Sequence, residues 1–146
     1  MEGREEKIRF VIDTNVIFAA IISRTGPTAR IIIGEYALLY APEFMLDELE
    51  KYKLLLFRKG KYSTAGALEV VLEKILTKVT VIPEELYADA LSHALEVTPD
   101  PKDAPFIALA MKMDVPLWTN DRKLKKVDAI KVVDTEEVMN MLGMVE

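Results

Sequence analysis

The feature that most constrains the fold is an apolar run near the N-terminus that stops at a carboxylate. Residues 7–15 read Lys-Ile-Arg-Phe-Val-Ile-Asp-Thr-Asn. A near-continuous run of β-branched and aromatic side chains is typical of a strand buried on both faces, as in a parallel sheet. A second apolar stretch, Val16 to Ile22, follows and predicts a helix. Asp13 therefore lies at the carboxyl end of a strand, where open α/β sheets hold their ligand sites.

Apolar strands alternate with helical periodicity along the rest of the chain. Short strands are predicted near residues 37–41, 79–82, 115–119 and 129–133, with amphipathic helices between them. One predicted helix runs from Glu43 to about Phe57, and another from Glu84 to about Val97. This alternation predicts an α/β fold with a mostly parallel sheet. No linker or repeat divides the 146 residues, so we expect one domain over 1–146 with a flexible tail over 1–6.

Composition excludes several classes of protein. The chain has no cysteine, which excludes disulfides and thiol catalysis and fits a reducing cytoplasm. No apolar run approaches the ~20 residues of a membrane helix, and the charged N-terminus has no secretory pattern. The six glycines are scattered, which disfavours NTP hydrolysis and dinucleotide binding. Abundant Lys, Glu and Arg without any Gln resemble the composition of a thermophile's protein.

Three acids occupy similar corners of the predicted fold. Asp13 and Asp121 each follow a strand, and Asp103 stands at the start of a helix. Each alone fits a helix N-cap. Carboxylates gathered at one sheet edge would repel one another unless a cation lay between them, and Mg²⁺ or Mn²⁺ prefers such oxygen ligands. The formal charge of −5 argues against a basic nucleic-acid clamp, but bound cations would reverse the local field.

Other polar residues have weaker signals. Glu48 lies among other acids of its predicted helix, and periodicity does not distinguish it from a solvated face. Thr119 and Asn120 either form an ordinary turn or orient Asp121 or a metal-bound water. His93 is the only histidine, and we interpret it as a surface or half-buried residue because no nucleophile and base surround it.

Taken in order, these stretches resemble the PIN-domain nucleases, and among them the prokaryotic single-domain type typified by VapC toxins. The resemblance covers nearly the whole chain and is carried by residues 10–16, the helix around Glu48, residues 100–110 and residues 118–121. The first and third stretches are the specific ones. The resemblance implies a three-layer α/β/α sandwich on a mostly parallel sheet, with acids gathered at one edge around Mg²⁺ or Mn²⁺.

Site residues follow from the resemblance position by position. The implied metal-binding and catalytic acids are Asp13, Glu48, Asp103 and Asp121. The implied supporting residues are Asn15 and Thr119. Asp100 is an additional acid that is either part of the site or a turn residue between two prolines.

The segment after Glu48 is rich in basic residues. Its candidates for contacting RNA phosphates are Lys51, Lys53, Arg58, Lys59 and Lys61. An ordinary solvated surface explains these residues equally well, because Lys and Arg are mostly exposed in any protein.

Three functional hypotheses follow. The favoured one is a cytoplasmic Mg²⁺- or Mn²⁺-dependent ribonuclease, in endonucleolytic or exonucleolytic mode. The second, compatible with the first, is the toxin of a toxin–antitoxin pair, or a regulatory nucleic-acid-binding protein, with an antitoxin or a homodimer covering apolar surface near Phe57 or the C-terminal helix. The third is a phosphohydrolase of small phosphoesters. It is disfavoured because Asn15 stands where a phosphoaspartate enzyme needs a second acid.

Overall fold

A parallel sheet of five strands organises the computed structural model, which describes residues 6–144. The strand order is β3-β2-β1-β4-β5, and every neighbouring pair is parallel. The strands are β1 (Arg9–Ile12), β2 (Leu38–Pro42), β3 (Val79–Ile82), β4 (Leu117–Trp118) and β5 (Val132–Val133). The tail expected over 1–6 lies outside the described residues, except for Glu6.

Eight α-helices flank this sheet in the described part of the chain. They are α1 (Thr14–Ile22), α2 (Pro27–Ile33), α3 (Phe44–Lys51), α4 (Lys53–Lys59), α5 (Ala65–Leu76), α6 (Ala88–Val97), α7 (Ala104–Met113) and α8 (Thr135–Met141). Helix α1 packs against α2 to α5, and α7 packs against α6 and the central strands. The predicted three-layer α/β/α sandwich is confirmed.

The core forms where the sequence places its apolar run. Phe10, Val11 and Ile12 of β1 are fully buried, as expected for a strand covered on both faces. The Phe10 ring packs edge-to-face on Trp118 of β4, with 6.0 Å between the ring centroids. Burial of side chains of this size stabilises the fold by about 1.5–3 kcal/mol each.

Two predicted helices differ from the observed ones. The helix expected from Glu43 to Phe57 is divided at Tyr52, whose φ and ψ of −103° and 14° are not helical. The Tyr52 ring packs edge-to-face on Phe18 of α1, and the redirected α4 buries Leu56. The helix expected from Glu84 instead begins with a 3₁₀ turn, and α6 starts only after Tyr87.

The register of the central strands creates the edge on which the site is built. Ile12 of β1 pairs with Trp118 of β4, and the Asp13 N–H donates to the Trp118 carbonyl at 2.9 Å. Asp13 and Thr119 therefore meet at the carboxyl edge although 106 positions separate them. Within the described residues no single helix is long and apolar enough to cross a membrane, and the pair α1 and α2, bent by 105°, meets that test only when counted together.

Candidate active site

Asp13 is the buried acid at the centre of the carboxyl edge. Its side chain is only 8% exposed. One oxygen accepts from the Thr14 N–H at 2.7 Å, and the other accepts from the Thr119 hydroxyl at 2.7 Å. Burial, together with the charges of Glu48 and Asp121, raises the pKa of Asp13 to about 6 despite these hydrogen bonds. The site therefore holds a carboxylate whose ionisation is costly without a neighbouring cation.

Thr119 holds the polar residues of this edge together. Its buried hydroxyl donates to Asp13 and accepts from the Asn15 amide at 3.2 Å and from the Asp121 N–H at 3.1 Å. A hydroxyl has one donor and two acceptor positions, so this one is fully used. Asn15 and Thr119, both expected as supporting residues, are thus hydrogen-bonded to each other, and Thr119 is also hydrogen-bonded to the Asp13 carboxylate.

Glu48 reaches the same edge from α3. The Thr14 hydroxyl, itself buried, donates to its Oε1 at 2.5 Å. Burial raises the pKa of Glu48, while this hydrogen bond and the charges of Lys102 and Lys51 oppose the shift. Neither Thr14 nor Lys102 was identified from the sequence, because their contacts with Glu48 join segments that are remote along the chain.

Asp103 is the acid that most clearly departs from an ordinary helix cap. It occupies the N-cap position of α7, but its side chain accepts no capping hydrogen bond. Burial raises its pKa to about 7, and the charges of Asp13, Asp100 and Asp121 contribute, as does Glu48. The cap interpretation is therefore wrong for Asp103, whose carboxyl group lies in the field of the other acids.

The two remaining acids have local partners. Asp121 accepts from the Lys123 N–H at 3.0 Å and caps a 3₁₀ turn, and Asp100 accepts from the Lys102 N–H at 3.0 Å. Asp100 is exposed and is a turn residue, but its charge still raises the pKa of Asp103. The fold thus brings together four acids from different parts of the chain, close enough for their charges to act on one another: Asp13, Glu48, Asp103 and Asp121. We call these four residues the acid cluster.

Sequence and structure comparisons identify the family. The family model described as PIN domain matches residues 11–142. The chain belongs to the PIN domain family. A comparison with curated protein sequences gives no match.

Three solved structures have the same fold as this PIN domain. VapBC2 from Rickettsia felis bound to a promoter DNA fragment has a TM-score of 0.60 at 15% identity, covering 87% of this chain and 98% of that one. DNA-bound VapBC from Salmonella typhimurium has a TM-score of 0.65 at 17% identity, covering 88% and 98%. PAE2754 from Pyrobaculum aerophilum has a TM-score of 0.66 at 18% identity, covering 94% and 91%. These likenesses support the fold.

The acids of this PIN domain supply the oxygen ligands that a divalent cation prefers, but they do not form a preassembled coordination site. Among residues 6–144, no three acidic or imidazole groups lie close enough to ligate one ion together. Burial and the charges of neighbouring acids nevertheless raise the pKa of both Asp13 and Asp103, so a cation between these carboxylates would be favourable. Mg²⁺ commonly takes one or two carboxylates and keeps several waters. The donor set therefore fits a hydrated ion that contacts part of the cluster directly and the rest through water.

The basic candidates after Glu48 are spread over different surfaces. Lys51 acts electrostatically on Glu48. Lys53 is engaged by Glu69 at 2.6 Å and by Glu50 at 3.5 Å. The other three lie at the far end of α4: Arg58 is exposed, and Lys59 and Lys61 line a cleft at the C-terminal end of α1. Of the five, Lys51 is the one whose charge acts on the acid cluster.

Proposed function

We propose that this PIN domain is a metal-dependent ribonuclease that hydrolyses RNA phosphodiester bonds at the carboxyl edge of its sheet. The observation that carries the proposal is the state of Asp103. Burial and the charges of four other acids raise the pKa of this uncapped carboxyl group to about 7. A protein has no structural need for such repulsion, and perturbed groups of this kind cluster at functional sites.

Each residue of the acid cluster has a proposed role. Asp13 and Asp121 are the proposed principal ligands of Mg²⁺ or Mn²⁺, and Glu48, held by Thr14, contacts the ion or its waters. Asp103 has no competing capping bond, so it can ligate or orient water at the phosphate. A divalent ion bound there supplies Lewis acidity, which lowers the pKa of water and offsets charge on the phosphodiester. Departure of a 3′-hydroxyl would leave a 5′-phosphate end, and no protein nucleophile is needed.

The cations beside the acids would bind the substrate. Lys51 and Lys102 both act on Glu48, so we assign them to the phosphates flanking the scissile bond. Phosphomonoester hydrolysis gains no support from the site, because the Asn15 amide is bonded to Thr119 and its oxygen accepts from Asn120 at 3.4 Å. Asn15 is thus a supporting residue rather than a replaced nucleophile.

The decisive experiment compares two matched substitutions. Purified protein is incubated with single-stranded RNA in Mn²⁺ or in EDTA. Asp13→Asn removes the buried charge of the site. Asp114→Asn removes an exposed charge at the C-terminal end of α7, where φ is +56° and asparagine is tolerated. We expect cleavage by the wild type and Asp114→Asn in Mn²⁺ alone. Equal cleavage by Asp13→Asn would indicate a contaminating nuclease and refute the proposal.

We further propose that the chain is the toxin of a toxin–antitoxin pair. Two of the proteins with this fold were solved as VapBC complexes. In this chain Leu54 and Leu55 of α4 are 62% and 41% exposed, an apolar surface that a protein partner or a second copy would cover. Co-expression with the short reading frame upstream of the gene tests this. A stable complex that suppresses RNA cleavage is expected, and a protein that purifies alone and remains active would contradict it.

A further inference from the structure

A polar cleft of about 260 Å³ adjoins the acid cluster on the side of β4 and α8. Its walls include Thr119 and Asp121, which also belong to the acid cluster. The rest of the wall includes four residues that could contact a ligand: Asn120, Arg122, Thr135 and Glu136. If RNA is cleaved at the acids, as proposed above, the cleft lies beside the scissile phosphate. It is too small for more than a base and its ribose.

Asn120 presents a donor to this cleft in a defined orientation. Its Oδ1 accepts from both the N–H and the hydroxyl of Thr135, at 3.1 Å each. A backbone N–H can only donate, so the oxygen must face Thr135 and the amide nitrogen must face away. Thr135 is held in turn by the Trp118 indole, which donates to its hydroxyl at 3.0 Å. The Asn120 amide nitrogen has no partner among the described residues.

Two charged groups of the cleft are also uncommitted. Arg122 is exposed and forms no ion pair with another described residue, and the same holds for Glu136. Of the remaining charges of the wall, Asp121 belongs to the acid cluster, and Lys125 lies 3.9 Å from Asp134. Lys125 contacts Glu137, and Asp134 caps α8 by accepting from the Glu137 N–H at 2.9 Å. The cleft therefore offers one guanidinium, one amide donor and one carboxylate to a ligand.

We propose that this cleft binds the nucleobase next to the scissile phosphate and selects guanine. Guanine presents two acceptors, O6 and N7, on one edge, and arginine is the side chain that most often recognises them. The Watson–Crick edge of guanine carries N–H groups, which would donate hydrogen bonds to the Glu136 carboxylate. Adenine places an amino group where O6 would be, and pyrimidines lack N7. The acids of the wall disfavour a phosphate there, so the base enters the cleft and the phosphate stays at the acid cluster.

Binding is tested first, without metal and without cleavage. Guanosine, adenosine, uridine and cytidine are titrated separately against ¹⁵N-labelled protein. The chain has a single tryptophan, so its indole N–H gives one resonance, and Thr135 connects that group to the cleft. We expect guanosine to shift this resonance with at least about tenfold higher affinity than the other nucleosides. Equal or absent shifts for all four would overturn the proposal.

Variants then separate recognition from folding. Arg122→Gln should weaken guanosine binding about tenfold, the scale of one bidentate contact. Asn120→Asp keeps an oxygen that can accept from Thr135 but replaces the amide donor with a negatively charged acceptor, so it should also weaken binding. Arg9→Gln is the matched control, because Arg9 is exposed at the opposite end of β1. Loss of affinity in Arg9→Gln equal to that in Arg122→Gln would refute the assignment of the cleft.

Cleavage gives an independent readout. Short single-stranded RNAs that differ at one position carry guanine, 7-deazaguanine or adenine there. We expect Mn²⁺-dependent cleavage beside guanine, slower cleavage beside 7-deazaguanine, and loss of this difference in Arg122→Gln. Cleavage without base preference would refute the guanine site and leave the nuclease proposal standing. Guanosine binding with no RNA cleavage would refute the nuclease proposal and leave the guanine site standing.

Discussion

The raised pKa values make an unusual prediction for the stability of the metal-free protein. Asp13 and Asp103 have an ordinary value of 3.8 when unfolded and values of about 6 and about 7 when folded. Between these values the folded state binds more protons than the unfolded state. The free energy of unfolding must therefore fall as the pH rises from about 4 to about 7. Most carboxylates in proteins give the opposite dependence.

The magnitude follows from the number of protons involved. A carboxyl group protonated only in the folded state changes the free energy of unfolding by about 1.4 kcal/mol per pH unit. Asp13 is buried, so we assign it about 1 kcal/mol between pH 5 and pH 6. Asp103 is only partly buried and solvent screens its charge, so its contribution is smaller than its pKa alone implies. We expect a total loss of about 2 kcal/mol from pH 5 to pH 7, which lowers the melting temperature by about 5 °C.

The assay is urea denaturation in EDTA at intervals from pH 5 to pH 8. Lysine partners lower the pKa values of three exposed acids, Glu35, Asp89 and Glu137. The pH dependence that these acids add to the free energy of unfolding therefore falls below pH 5. Asp103→Asn should flatten the pH dependence, and Mn²⁺ should restore stability at pH 7 because it binds only the folded state. A free energy of unfolding that rises from pH 5 to pH 7 in EDTA would refute the reasoning.

The remaining predictions concern single side chains. Thr14→Val removes the donor to Glu48 without changing shape, so RNA cleavage should fall at least about tenfold while Thr14→Ser stays near wild type; equal rates for both variants would count against a positioning role. Thr119→Val leaves Asp13 without its side-chain donor and should lower the free energy of unfolding by about 1–3 kcal/mol in urea titrations. Phe10→Ala should lower it by about 3–5 kcal/mol, and a change below 1 kcal/mol would contradict the packing described for the central strand.

Local sequence was sufficient to predict a secondary-structure element wherever neighbouring residues encode its burial and its capping. The run from Ile8 to Ile12 predicts β1, and the chain turns into α1 at Asp13 as expected. The alternation of strands and helices predicts the layered α/β class, because a strand buried on both faces needs helices on either side. The divided helix at Tyr52 was not predicted, and there the Tyr52 ring packs on Phe18 of another helix, a contact that local sequence does not encode.

The candidate site depended on tertiary structure to a greater degree. As sequence, Asp13, Asp103 and Asp121 are equally good helix caps. The strand order brings β1 beside β4, so the Thr119 hydroxyl reaches Asp13, while Asp103 is left in the field of the other acids without a capping bond. Residue types along the chain thus determined the elements and the candidate acids. Only the folded arrangement decided which acids share a field, because charge interactions depend on distance in space rather than in sequence.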